Sequence, residues 1–508
     1  MQIEQPTFPL TTDAFAAALR TGHGRAMQQI ESYGSNGLED KITEACVSCL
    51  SYDPQCEAER APWLFSIVDR AKLNTKVVQA IEAVIQNSPP ENHRDMNQRS
   101  AILKELAAAG SHEARRLLYS SLARLSHTSD VIGADQIVAL DGVDGLIYVA
   151  RQLGRWLRAD PDFWVHDYLS AQFDASTGID GGFAALEHEA GVDADVANYL
   201  AGMHKARESQ CRSSSRFNAT AYTGAEIVAH VNKNPRDQCH WFRLWGTQAA
   251  SDQRDTVFTA LLASNESERV KRLFRCFAKT GVPRFDSRLL RWIAHPDEQV
   301  QWAAVKAVAP IKHVELRQAA MQLIASGRVA NGIALLVNNF ETGDFAMCEG
   351  YLEALEDADQ THFLVGQLLD LCGANPGAGA LHCLLYVYER SPCSTCRNRA
   401  MKALTDTNTA PAWVLTESMF DADPTREHSS PLTARRSNRG ARQWGGYDRE
   451  NYRMSECCAL GLANQMTSKQ SMAAVSSWPI VLTRRHVALE LEADLGAVSD
   501  IDATTGCR

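Results

Sequence analysis

With 508 residues the chain exceeds what one hydrophobic core serves, so it must divide into domains or extend as an array of repeats. Its content of 45% hydrophobic but only 7% aromatic residues leans toward helix and away from sandwiches and barrels. A formal net charge of -10 sets the molecule as a whole against phosphate backbones and anionic membranes, so any nucleic-acid contact must be local.

Read from the start, Met1-Gln2-Ile3-Glu4-Gln5 offers neither a basic segment nor an apolar run, which predicts no signal peptide. No apolar stretch nears the roughly 20 residues that span a bilayer, so no membrane is expected and the chain is placed in the cytoplasm. The run Gly22-His23-Gly24-Arg25-Ala26-Met27 lacks the third glycine of a dinucleotide fingerprint and reads as a turn or helix start. Cys46 and Cys49 form a C-x-x-C pair with Cys56 nearby. In Tyr52-Asp53-Pro54-Gln55-Cys56-Glu57, followed by Arg60 and Trp63, Asp53 is expected to cap the next helix and Trp63 to pack beneath it.

After a turn at Asp141-Gly142, residues Val143, Leu146, Ile147, Ala150, Leu153 and Leu157 recur at three- and four-residue steps, predicting an amphipathic helix. Ala159-Asp160-Pro161 ends it, because proline lacks the N–H a helix needs and constrains the residue before it. Residues 207 to 224, which include Cys211-Arg212-Ser213-Ser214-Ser215-Arg216, are polar and poorly periodic, as a surface loop or hinge would be. From about residue 265 to 420 the apolar units become short and regular, with Gly, Pro or Asp at most joints. Helices that short need neighbours to hold them.

Four segments look alike, and the clearest is His295-Pro296-Asp297-Glu298-Gln299-Val300-Gln301-Trp302-Ala303-Ala304-Val305-Lys306-Ala307-Val308. Asp297 can cap its start, while Val300, Ala304 and Ala307 form a narrow stripe that lets helices approach closely. This segment resembles the second helix of a HEAT repeat. Weaker echoes begin at His112-Glu113-Ala114, Glu268-Arg269-Val270 and Cys396-Arg397-Asn398. Equivalent starts at 112, 267, 297 and 394 lie near multiples of roughly 31 residues, against about 40 to 47 for the usual HEAT period. Gln301 stands where HEAT repeats usually carry arginine, which puts that repeat's polar contact with its neighbour in doubt. The resemblance implies an all-α fold, an α-solenoid of HEAT-like antiparallel helix pairs, and a surface suited to protein partners.

Ser391-Pro392-Cys393-Ser394-Thr395-Cys396-Arg397 carries the most suggestive chemistry, since thiols in a first helical turn feel the positive end of the helix dipole. A redox pair or half a metal site could be built there. Zinc needs four ligands, however, and the only other C-x-x-C, Cys46 and Cys49, would sit near the opposite end of a solenoid. Cys393, Cys396, Cys46 and Cys49 are therefore the metal candidates, weighed against buried thiols in a reducing compartment such as Cys276 in Arg275-Cys276-Phe277. His112-Glu113 and His188-Glu189 invite comparison with deoxyhypusine hydroxylase, but that resemblance implies four such steps and the chain supplies two, so solvent-facing residues explain them better.

After Pro424 the composition turns rich in Ser, Arg and Gly, which predicts a poorly ordered C-terminal tail over 425–508. Within it, residues 435–453 interleave arginine with Trp444 and Tyr447, the one place where nucleic acid could be held. The expected division is an N-terminal helical segment at 1–95, a HEAT-like solenoid at 96–424 and the tail. No motif announces a reaction, so the expected role is a noncatalytic scaffold for a protein partner without a cofactor. The alternative is a metal- or redox-dependent protein using the Cys and His sites.

Overall fold

A computed structural model describes residues 3–423 apart from 55–56, 58, 88–91, 125–130, 162, 164–167, 214–217, 219–220 and 353–356. The tail at 425–508, with its arginine-aromatic segment 435–453, lies outside the described residues. Among those described, the chain is all helical and contains no strand. Among the described residues no helix is long and apolar enough to cross a membrane.

The first stretch comprises α1 (Thr12–Thr21), α2 (Arg25–Tyr33), α3 (Glu39–Val47), α4 (Ala61–Arg70), α5 (Asn74–Asn87) and α6 (His93–Ala108). It continues through α7 (His112–Arg124), α8 (Ala134–Ala159), α9 (Leu169–Thr177), α10 (Gly182–Ala190) and α11 (Ala194–Ser213). The second comprises α12 (Gly224–Lys233), α13 (Phe242–Gln248), α14 (Ser251–Leu262), α15 (Ser267–Phe274), α16 (Leu290–Ile293) and α17 (Glu298–Val308). After it come α18 (Val314–Ala325), α19 (Val329–Leu336), α20 (Asp344–Leu352), α21 (Ala358–Ala374), α22 (Leu381–Arg390), α23 (Ser394–Asp406) and α24 (Ala412–Ser418).

Local chemistry explains the joints. Gly142 takes φ 60°, breaking α8 into two helical pieces where Asp141-Gly142 predicts a turn, and the helix ends at Asp160. Leu146, Ala150, Leu153 and Leu157 are buried as the period requires, whereas Val143 stays exposed at the rim. The loop expected at 207–224 is shorter than composition suggests, because α11 runs on to Ser213. Each of the four HEAT-like segments is helical, at α7, α15, α17 and α23. The Asp297 carboxylate accepts the N–H groups of Gln299 and Val300, which is the cap its position predicts.

Packing divides the apolar side chains into two cores. One gathers buried residues from Phe15 to Met203, on both sides of residue 95. The other gathers residues from Ile227 to Val414. In the second, α15 packs on α17, α17 on α19, α19 on α21 and α21 on α23, so every second helix forms one layer. Gln301 links this layer: its amide donates to the Ile293 carbonyl at 2.9 Å and its oxygen accepts from Asn331 at 2.7 Å. Glutamine at this position thus reaches both the preceding helix and α19, because an amide donates and accepts at once.

Candidate functional site: a buried seam between the chain ends

The start and the end of the described chain meet. α1 stops at Gly22, whose φ of 76° supplies the left-handed turn, and α2 begins after Gly24. Between them the Gly22 carbonyl accepts the Ala422 N–H at 3.0 Å, and the Gly24 N–H donates to the Asp421 carboxylate. A side chain at position 24 would strike the Glu417 carbonyl, so glycine is what allows the two backbones to touch. The run, a turn and a helix start as its sequence predicts, is also the hub of this contact.

Charged groups then fill the seam. Arg25 lies between two carboxylates, donating from Nε to Glu417 at 2.8 Å and through its fork to both oxygens of Glu389 at 2.8 and 2.7 Å. Such planar two-point pairing is the geometry guanidinium favours. Arg60, also buried, donates to Glu57 at 2.7 Å and to the carbonyls of Leu19 and Arg20. Arg397 is 1% exposed and donates to the Thr21 carbonyl, with its Nη2 3.8 Å from Asp421. Arg397 stands in the first turn of α23, so this helix start carries contacts to both the first and the last described segments.

Burial sets the protonation of this network. It pushes Glu417 up to about 7 and Asp421 up to about 6, against the opposing pull of Arg25 on the first and Arg397 on the second. Burial also holds His23 well below its ordinary value, helped by the charges of Arg397 and Arg25. A neutral ring fits its contacts: Nε2 donates to the Tyr388 carbonyl at 3.0 Å, leaving Nδ1 to accept the Thr21 hydroxyl at 2.6 Å.

At one edge of the seam lies a Cys/His cluster. Cys393 stands at the N-cap position of α23, Cys396 follows in its first turn, and His362 reaches them from α21. Their ligand atoms lie within 4.8 Å of one another, all three residues are buried, and Cys396 Sγ is 3.4 Å from His362 Nε2. The Tyr52 ring sits 4.7 Å from the His362 ring, and its hydroxyl donates to Asp359 at 2.6 Å, one turn earlier on α21. Glu57 accepts the Ser394 N–H at 3.1 Å. Bonding with Cys396 and then His362 draws the Cys393 thiol down to about 5 against its burial.

Two of the four metal candidates, Cys393 and Cys396, are therefore brought together, and the structure adds His362, which no spacing in the sequence marked. Cys46 is fully buried in α3, where burial pushes its thiol up to about 12. Cys49 offers its N–H to Asp95 at 2.7 Å. Neither Cys46 nor Cys49 joins a metal-type grouping among the described residues. Tyr52 and Glu57, which follow them in the sequence, reach Asp359 of α21 and Ser394 at the start of α23. The two ends of the described chain meet because Arg25 and Trp63 carry contacts to α24 and its following turn.

Other sequence candidates resolve into structural roles. Asp53 does not cap α4, which starts after Arg60 without a side-chain cap. Trp63 packs inward as expected and also donates its indole N–H to the Phe420 carbonyl at 2.8 Å. His112 and His188 are exposed, Glu113 pairs with Arg116, and Glu189 pairs with Arg151. A second grouping, His230, Asp237 and Cys239, is joined by its own contacts: Asp237 accepts from the His230 ring and from the Cys239 N–H. Compared with known proteins, the chain matches no family model, no curated protein and no solved structure.

Proposed function

We propose that the chain is a noncatalytic HEAT-like helical scaffold that binds a protein partner in a reducing compartment such as the cytoplasm. One observation carries this. Trp302 on α17 and Phe363 on α21 meet edge to face at 4.9 Å, although α17 and α21 each pack against α19 between them. Helices flanking α19 thus lean together on that side, and two half-buried aromatic rings line it, with the Lys306 ammonium 5.6 Å above the indole. Stacked helix pairs that lean together make a continuous inner face, and rigid aromatics are the anchors such faces use. Free cysteines throughout the described residues suit a reducing setting.

The test is capture of partners from the host's lysate by the full chain, with cross-linking to map the contact. A stoichiometric protein cross-linked near Lys306 is expected, and W302A with F363A should weaken its binding by roughly 10- to 100-fold without changing the helical content. Cross-links confined to other surfaces, with binding indifferent to both substitutions, would remove the aromatic face from the proposal.

A further inference from the structure

We propose that His362, Cys393 and Cys396 bind one zinc ion that fastens the start of α23 to α21 beneath the N-terminal segment. The donor set is the first reason. Two thiols and an imidazole favour zinc among the abundant divalent cations, whereas magnesium and calcium take oxygen ligands.

Geometry is the second. A tetrahedral zinc with bonds of about 2.3 Å to sulfur and about 2.1 Å to nitrogen sets S and N about 3.6 Å apart and two sulfurs about 3.8 Å apart. Cys396 Sγ and His362 Nε2 lie at 3.4 Å, and no pair among the three ligand atoms exceeds 4.8 Å, so an ion can enter with side-chain adjustments alone. The C-x-x-C spacing puts both sulfurs at the opening turn of one helix, where the dipole favours thiolates. Three protein donors leave one corner of the tetrahedron for water or a further ligand.

The setting is the third. Tyr52 covers the histidine ring and is itself tied to Asp359 of the same helix, while Glu57 holds the Ser394 N–H between the two cysteines. Outer contacts of this kind fix the orientation of metal ligands. The ion would thereby brace the point at which Tyr52 and Glu57 meet α21 and α23, a role separate from partner binding through Trp302 and Phe363.

The experiment uses the full chain, reduced and purified without chelator, with zinc measured by mass spectrometry and cobalt introduced in its place. About one zinc per chain is expected, with a thiolate-to-cobalt charge-transfer band in the cobalt form. C393S, C396S and H362Q should each lose the ion, while C46A keeps it. Absence of zinc from the unsubstituted chain counts against the site without any variant, so a variant that fails to fold does not remove the test, and loss of the cobalt band in C393S and C396S locates the ion. Absence of both stoichiometric zinc and the cobalt band from the reduced wild-type chain overturns the proposal, as does a band that survives C393S and C396S. Neither outcome depends on whether a protein partner is found.

Discussion

A methyl group at position 24 has nowhere to go: it would lie 2.0 Å from the Glu417 carbonyl oxygen, with the Asp421 nitrogen 2.9 Å away. G24A should therefore destabilise the fold by at least about 2 kcal/mol, through forced separation of two backbones. G350A, in α20 where nothing stands within 4 Å, should be neutral or stabilising by up to about 1 kcal/mol. Urea titrations of the two variants compare them directly. Next to Gly24, His23 makes a prediction about pH. Its folded value is lowered, so below the ordinary value of about 6.5 the unfolded chain takes up a proton that the folded chain refuses, and His23 costs stability as pH falls. Glu417 and Asp421, raised in the fold, act in the opposite sense, since they hold protons more tightly folded than unfolded. Replacing the ring isolates its share: between about pH 7.5 and 5.5 the melting temperature of H23Q should change less unfavourably than that of the wild type. An equal pH response in the two proteins would show that His23 gains its proton in the fold.

Among the elements, α17 offers the most direct test of what periodicity made visible. Its cap and its buried stripe are legible because both depend on residues a few positions apart. D297A should cost about 1 kcal/mol, the usual loss of a helix cap. Gln301→Leu should cost about 1 to 3 kcal/mol, because the buried amide of Asn331 would lose the acceptor it meets at 2.7 Å. Denaturant midpoints at constant slope would measure both. The role of Gln301 is not legible from its position alone, which compares residue types and not reach. Arginine only donates, whereas an amide donates backward to Ile293 and accepts forward from Asn331. The two thiols of the candidate metal centre could be read from their spacing within one turn. Their histidine could not, because it stands on another helix and enters only when α21 packs against α23.

Across the whole molecule, the seam is the feature that local sequence could not announce. Arg25 and Glu417 are separated by hundreds of residues, and neither belongs to a motif. R25M removes the cation shared by Glu417 and Glu389 and should cost about 1 to 3 kcal/mol near neutral pH, because Glu417, already raised to about 7, takes up a proton rather than staying charged. Because the apolar residues form two cores, that variant should also separate one cooperative melting transition into two, one for each core. Calorimetry would show it, and a single unchanged transition would mean that contacts other than the seam couple the halves.

An open stack of helix pairs behaves as a spring, since small rotations between neighbours add up along its length. Here Gly22 and Gly24 are joined to Ala422 and Asp421, so the ends cannot part while those bonds hold. Pulled apart on either side of the seam, the described residues would bear the load first across these few hydrogen bonds and ion pairs, as a buckle does. Elastic stretch would begin only once the buckle had opened.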